Sequence, residues 1–217
     1  MRPDRGRPAA PAHGVGVAGA RVKRLLDVTL ATLLLLLLSP LLLLVAIAIR
    51  LDSPGPVLFR QCRVGLHQRP FDLLKFRTMY HHAPSALDCR QATRDDPRIT
   101  RVGHWLRCTS FDELPQLVNV LRGEMSMVGP RPHTQGTCAG GRPFEEVAPH
   151  YAARHAVRPG ITGLAQVRGW RGETDTEEKL LRRIDCDLEY IATWSLRLDL
   201  LILCRTLVSV LGMRNAY

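Results

Sequence analysis

Between Arg107 and Gln116 the chain reads Arg-Cys-Thr-Ser-Phe-Asp-Glu-Leu-Pro-Gln, its densest run of reactive and charged groups. Asp112 and Glu113 are adjacent carboxylates, and such a pair can bind a divalent cation through oxygen and supply a nucleophile or a base. The same residues also read as a helix start, because Ser110 and Glu113 have capping-box spacing. A helix capped at Ser110, however, would make Pro115 its fifth residue, with the ring against the Phe111 carbonyl. A helix beginning at Pro115 leaves Asp112-Glu113 in the turn before it, near the positive end of the helix dipole. On these residues alone, catalysis and capping both stay open.

Three further clusters carry cations. In Ser126-Met127-Val128-Gly129-Pro130-Arg131-Pro132, prolines on both sides fix the backbone of Arg131 and present its guanidinium with little freedom; an ordinary rigid turn explains the segment equally well. Phe71 to Met79 places Lys75 and Arg77 two residues apart, on one face if the segment is extended, or along a solvated edge strand. Arg154-His155-Ala156-Val157-Arg158-Pro159-Gly160 joins cations to a Pro-Gly turn and is weak by itself. The eight histidines show no ligand pattern, and the six cysteines form no CxxC pair and no zinc spacing, which reads as reduced thiols.

These groups must be held by something. The 217 residues suffice for one ordinary domain plus an anchor. Lys and Arg number 30 against 20 Asp and Glu, a formal charge of +10, and only Lys23, Lys75 and Lys179 are lysines. Arginine's planar fork suits phosphate oxygens, so composition is compatible with nucleic acid, anionic lipid or a phosphorylated small substrate.

The anchor is the clearest element. No charge falls between Val28 and Ile49, and 22 helical residues reach roughly 33 Å, enough for a bilayer core of about 30 Å. Ser39-Pro40 lies at its middle, where proline removes a donor and kinks a helix. Both flanks are basic, with Arg21, Lys23 and Arg24 before it and Arg50, Arg60 and Arg63 after it. The positive-inside rule then favours neither orientation of a span, and a helix broken at Ser39-Pro40 that re-enters satisfies both flanks. The segment is too long for a signal peptide and no small-residue cleavage site follows it.

Residues 1–20 read as a disordered basic tail, residues 21–50 as the re-entrant helix and residues 51–217 as a cytoplasmic catalytic domain. Within that domain we expect a short strand at Val57-Leu58-Phe59, a turn from Gly65 to Pro70, a strand or short helix from Phe71 to Met79 and a polar loop over 81–97. Helices are expected at Ile99 to Arg107, at Pro115 to Arg122 with Gly123 past its end, at Glu173 to Ile191 and at Trp194 to Leu211. Thr134 to Arg142, glycine-rich, reads as flexible. The fold class is α+β, predominantly helical: a membrane-embedded re-entrant helix, a small α/β catalytic domain and C-terminal amphipathic helices.

Taken together the segments resemble the bacterial sugar transferase family, the monotopic phosphoglycosyl transferases that begin polysaccharide assembly on polyprenyl phosphate. The resemblance runs from Lys23-Arg24-Leu25-Leu26-Asp27 through Ser39-Pro40, Ser53-Pro54-Gly55-Pro56-Val57 and Lys75-Phe76-Arg77-Thr78-Met79. It continues through Asp95-Asp96-Pro97-Arg98-Ile99-Thr100, Asp112-Glu113-Leu114-Pro115-Gln116, Gly129-Pro130-Arg131-Pro132 and Pro159-Gly160-Ile161-Thr162-Gly163. Gly169 to Thr176 is similar to the branch that moves glucose-1-phosphate from UDP-glucose. The resemblance implies transfer of a hexose-1-phosphate from a UDP-sugar to undecaprenyl phosphate with release of UMP, through a covalent phosphosugar on Asp112. It implies Mg²⁺ at Asp112, assistance from Glu113, and substrate contacts from Arg107, Arg131, Lys75, Arg77 and Arg158. It also implies exopolysaccharide, capsule or O-antigen synthesis at the cytoplasmic face of the bacterial inner membrane, and leaves a homo-oligomer open. The chain departs from the family at His67-Gln68-Arg69, where glycine is usual, at Phe111 for leucine, at Leu164 for tryptophan, and over Gln135 to Glu146.

Other classes fit less well. UDP-galactose or a UDP-N-acetylhexosamine could serve in the same reaction. A non-catalytic basic protein of the membrane surface would give Asp112-Glu113 beside Arg107 no purpose. A nucleic-acid binder would set its arginines along a helix or among aromatics, and here they are dispersed.

Overall fold

The computed structural model describes residues 17–81, 96–172, 174 and 176–211. Of the expected tail, residues 1–16 lie outside this range, as do residues 82–95 of the expected polar loop. The first helix, α1 (Val17–Asp52, 36 residues), is longer than 21–50 at both ends and spans about 54 Å. It carries Pro40 without interruption. Proline at 40 cannot donate to the Leu36 carbonyl four residues back, and the Ser39 hydroxyl donates to that carbonyl instead, at 2.8 Å. The expected break at Ser39-Pro40 is therefore not a gap in the helix.

After α1 come β1 (Leu58–Val64) and β2 (Pro70–Phe76), an antiparallel hairpin in register from Leu58↔Phe76 to Val64↔Pro70. Its connection is a turn of 3₁₀ helix, Leu66–Gln68, in which His67 and Gln68 take the left-handed conformation at φ 53° and 60°. α2 (Arg101–Thr109) starts at Thr100, whose hydroxyl accepts from the Gly103 amide. α3 (Gln116–Arg122) begins just after Pro115 and ends on left-handed Gly123. β3 (Ser126–Val128) pairs in parallel with β6 (Gly160–Thr162). The intervening segment holds β4 (Cys138–Ala139), β5 (Arg142–Pro143) and α4 (Phe144–Val147), so Thr134 to Arg142 carries a small antiparallel ladder rather than a featureless loop. Short α5 (Leu164–Val167), α6 (Glu177–Thr193) and α7 (Leu196–Leu211) complete the chain.

One domain grips α1 along both halves. Near its start Ala31 is buried with Leu117, Val120, Met127 and Ile202, from α3, β3 and α7. Near its end Val45 and Ile49 pack with Phe76 and Leu106, from β2 and α2. Polar ties follow the same plan. Lys23 pairs with Asp199 at 2.7 Å, Arg24 donates to the Val120 carbonyl at 2.7 Å, and Asp52 accepts from the Val102 amide at 3.1 Å. Between these contacts Leu33, Leu36, Leu37, Leu43 and Leu44 are uncovered, each more than half exposed. By length and composition this helix could cross a membrane.

Candidate active site

α2 closes at Ser110, which adopts the left-handed conformation with φ 61° and ψ 18°. A single 3₁₀ turn, Phe111–Glu113, follows before α3 begins. The capping box does not form: Ser110 ends a helix instead of starting one, and its side chain makes no cap bond. The Ser110 hydroxyl is instead held by the Arg171 guanidinium. Phe111 packs edge-on against Trp105, with ring centroids 5.4 Å apart, which anchors the turn to α2.

The two carboxylates are treated differently. Glu113 is held from both sides: Lys75 Nζ donates to Oε1 at 3.0 Å, Arg131 Nη1 donates to Oε2 at 3.0 Å, and Arg131 Nη2 donates to Oε1. Among the described residues Asp112 accepts no hydrogen bond, and its one cation within 4 Å is Lys75, 3.9 Å from Oδ2. Burial opposes ionisation of Glu113, but Arg131 and Lys75 outweigh it and hold its carboxyl well below the usual range. Burial pushes Asp112 up, with the Glu113 charge adding to it and Lys75, Arg131 and Arg107 pulling back. A pair whose acidities are driven apart is a common arrangement in active sites.

Lys75 arrives from β2 and Arg131 from the segment after β3. The buried Asn119 of α3 fixes β2 next to the carboxylate turn. Its Oδ1 accepts from the Leu74 amide at 3.0 Å, and its Nδ2 donates to the Asp72 carbonyl at 2.7 Å and to Glu124 at 2.6 Å. Where the chain turns from β3 into Pro130, β6 comes so close that a Cβ on Gly160 would lie 2.1 Å from the Gly129 nitrogen. Only glycine fits there.

The site therefore joins Asp112, Glu113, Lys75 and Arg131, with Arg107 near enough for its charge to act on Asp112. Two expected members lie elsewhere. β2 ends at Phe76, and Arg77 turns to the end of α1, donating to the carbonyls of Ser53 (2.7 Å) and Pro54. Arg158 donates to the Gly123 carbonyl at 2.9 Å, beyond the end of α3. Both cap the negative ends of helices.

Three residues join the site that sequence reasoning did not single out. Arg171 reaches Ser110 and shares the electrostatics of Asp112 and Glu113. Arg63, brought down to about 10 by burial and by Arg131, lies beside Glu113. Asn119 is the third, and a lone asparagine in an apolar helix gave no signal beyond its polarity. Cations thus outnumber carboxylates at the site, which suits a polyanionic ligand such as a diphosphate. Among the described residues no group of three His, Cys, Asp or Glu could hold a metal by itself. Magnesium is commonly held by one or two carboxylates plus substrate phosphates. With Glu113 engaged by cations, Asp112 is the carboxylate that fits that role.

A family model described as bacterial sugar transferase matches residues 18–213. The undecaprenyl-phosphate glucose phosphotransferase of Komagataeibacter xylinus is 54% identical over 195 residues, covering 90% of this chain and 37% of that protein. The UDP-glucose:undecaprenyl-phosphate glucose-1-phosphate transferase of Caulobacter vibrioides is 54% identical over 211 residues, 97% of this chain and 77% of that protein. The Escherichia coli protein of the same name is 47% identical over 214 residues, 98% of this chain and 45% of that protein. The chain thus spans less than half the length of two of these three relatives.

Proposed function

The chain belongs to the bacterial sugar transferase family, and from that premise we propose that it transfers glucose-1-phosphate from UDP-glucose to undecaprenyl phosphate, releasing UMP. The observation that carries the reading is the unequal treatment of Asp112 and Glu113. Glu113 is committed to Lys75 and Arg131, while among the described residues Asp112 is left without a hydrogen-bond donor. The choice of glucose rests on the activities named for the relatives.

The proposed reaction is two displacements at one phosphorus. An Asp112 carboxylate oxygen attacks the β-phosphorus, a bond forms between that oxygen and phosphorus, and the bond to the bridging oxygen breaks so that UMP leaves with the electron pair. An oxygen of undecaprenyl phosphate then attacks the same phosphorus and frees the Asp112 carboxylate. A phosphate monoester has its second ionisation near pH 6, so the acceptor is already anionic at neutral pH and needs no strong base. Glu113 accordingly acts by holding Lys75 and Arg131 against the transferring group, and Arg107 and Arg171 add charge at the diphosphate. Phosphoryl transfer asks chiefly for such positioning and charge stabilisation. Bound Mg²⁺, held by Asp112 and diphosphate oxygens, would supply further neutralisation of the leaving group.

We further infer that α1 enters and leaves the bilayer on one face, which is the cytoplasmic one. What supports this is the domain that ties both ends of α1: Lys23 and Arg24 at one end, Asp52 at the other. The site then sits at headgroup depth, where a polyprenyl phosphate is found, and the product would begin exopolysaccharide, capsule or O-antigen assembly.

The test is UMP release from a panel of UDP-sugars with Mg²⁺ and undecaprenyl phosphate. UDP-glucose is expected to be the preferred donor. Release from UDP-galactose or a UDP-N-acetylhexosamine but not UDP-glucose would overturn the sugar.

A further inference from the structure

We propose that Arg154, oriented by Asp187, is a positioning residue that sets where the Arg131 guanidinium stands; this rests on the role given to Arg131 above. Pro130 and Pro132 have no backbone N–H, so the segment that carries Arg131 is held mainly through its carbonyls. Every carbonyl from Pro130 to His133 accepts a bond. Pro130 accepts from the Gly160 amide at 2.9 Å, Arg131 from Arg154 Nη2 at 2.6 Å, Pro132 from Arg63 Nη1 at 3.3 Å, and His133 from the Val64 amide at 3.2 Å. Arg154 thus fixes the Arg131 peptide itself.

Arg154 and Asp187 are each only 1% exposed. Nε and Nη2 of Arg154 donate to Asp187 Oδ2 at 3.1 and 2.7 Å. Nη1 faces His133 Nδ1 at 2.7 Å. A guanidinium only donates, so that nitrogen accepts and the His133 ring is neutral. Arg154 therefore grips the segment twice, at the Arg131 carbonyl and at the His133 ring, while Asp187 on α6 holds Arg154. A buried ion pair is weak as a source of stability against an apolar replacement of the same size. Its use here is geometric, because a misplacement of about 1 Å far from the chemistry can cost roughly a hundredfold in rate.

A double-mutant cycle tests this, read as kcat/KM for UMP release from UDP-glucose in the detergent-solubilised full chain. The variants are Arg154→Lys, Arg131→Ala and the pair, each checked for folding by thermal melting. Positioning predicts a loss of about tenfold or more for Arg154→Lys in the wild type, and less than about twofold when it is added to Arg131→Ala. The same fold-loss in both backgrounds would assign Arg154 a merely structural part and overturn the proposal. If Arg154→Lys does not accumulate folded, Asp187→Asn, which keeps Arg154 but frees its orientation, carries the same cycle with the same two outcomes. Full activity of Arg131→Ala alone would overturn the role of Arg131 and this proposal with it. That result is distinguishable because Arg154 is untouched.

Discussion

Asp112 and Glu113 are neighbours that differ only by a methylene, yet their surroundings drive their pKa values in opposite directions. A nucleophilic Asp112 must be ionised, and burial pushes its pKa up. Activity should therefore fall on acidification at a pH above the ordinary aspartate value of about 3.9. Glu113→Gln removes a like charge from beside Asp112 and releases Lys75 to it, so the acid limb of kcat/KM should move to lower pH while the rate drops. A limb at the ordinary value, or one that rises in the variant, would contradict the assignment. The carboxylate pair, Lys75 and Arg131 were legible because their neighbours are rigid or close in sequence. Arg77, Arg158 and Arg171 were not. A long guanidinium side chain goes to whichever carbonyls or hydroxyls the tertiary fold leaves within reach, and helix ends such as those at Ser53 and Gly123 compete with the site for it.

The elements were read more fully than their ends. Hydrophobic runs and Pro/Gly punctuation placed α1, α3, α6 and α7 within a few residues, whereas β1 runs well past the expected Val57-Leu58-Phe59 and the segment from Phe71, open between strand and short helix, is the strand β2. The small ladder of β4 and β5 was missed because two-residue strands carry no periodicity. The departure from glycine at His67-Gln68 proved informative, since both residues take positive φ in the hairpin connection. A non-glycine residue pays about 1–2 kcal/mol in that conformation, partly returned because it loses less chain entropy on folding. His67→Gly, at an exposed position, should therefore raise stability by about 0.5–1 kcal/mol, read as a higher melting temperature. No change or a fall would show that the turn is not under backbone strain. Gly160 makes the opposite case: alanine there needs space that the Gly129 backbone occupies, and Gly160→Ala should lose folded protein and activity together.

For the whole molecule, the long apolar helix and the domain that clasps its two ends form one device. The uncovered leucines of α1 form an apolar face suited to lipid, whereas Lys23, Arg24 and Asp52 are bonded to the domain. The topology proposed above rests on that division. A cysteine introduced at residue 13, with the native cysteines replaced, should be labelled in intact cells only by a membrane-permeant reagent. Labelling by an impermeant reagent from the periplasm would mean a true span. The uncharged stretch made the long apolar helix itself legible in the sequence. The clasp itself joins residues 50 to 176 positions apart, from Asp52 with Val102 to Lys23 with Asp199, and only folding brings them together. The most direct test of the account uses UDP-glucose labelled in the sugar, with Mg²⁺ and no acceptor lipid. The account predicts about one UMP released per protein, with the label left on the peptide that contains Asp112, and neither in Asp112→Asn. UMP release that requires the acceptor, with no labelled peptide, would contradict it.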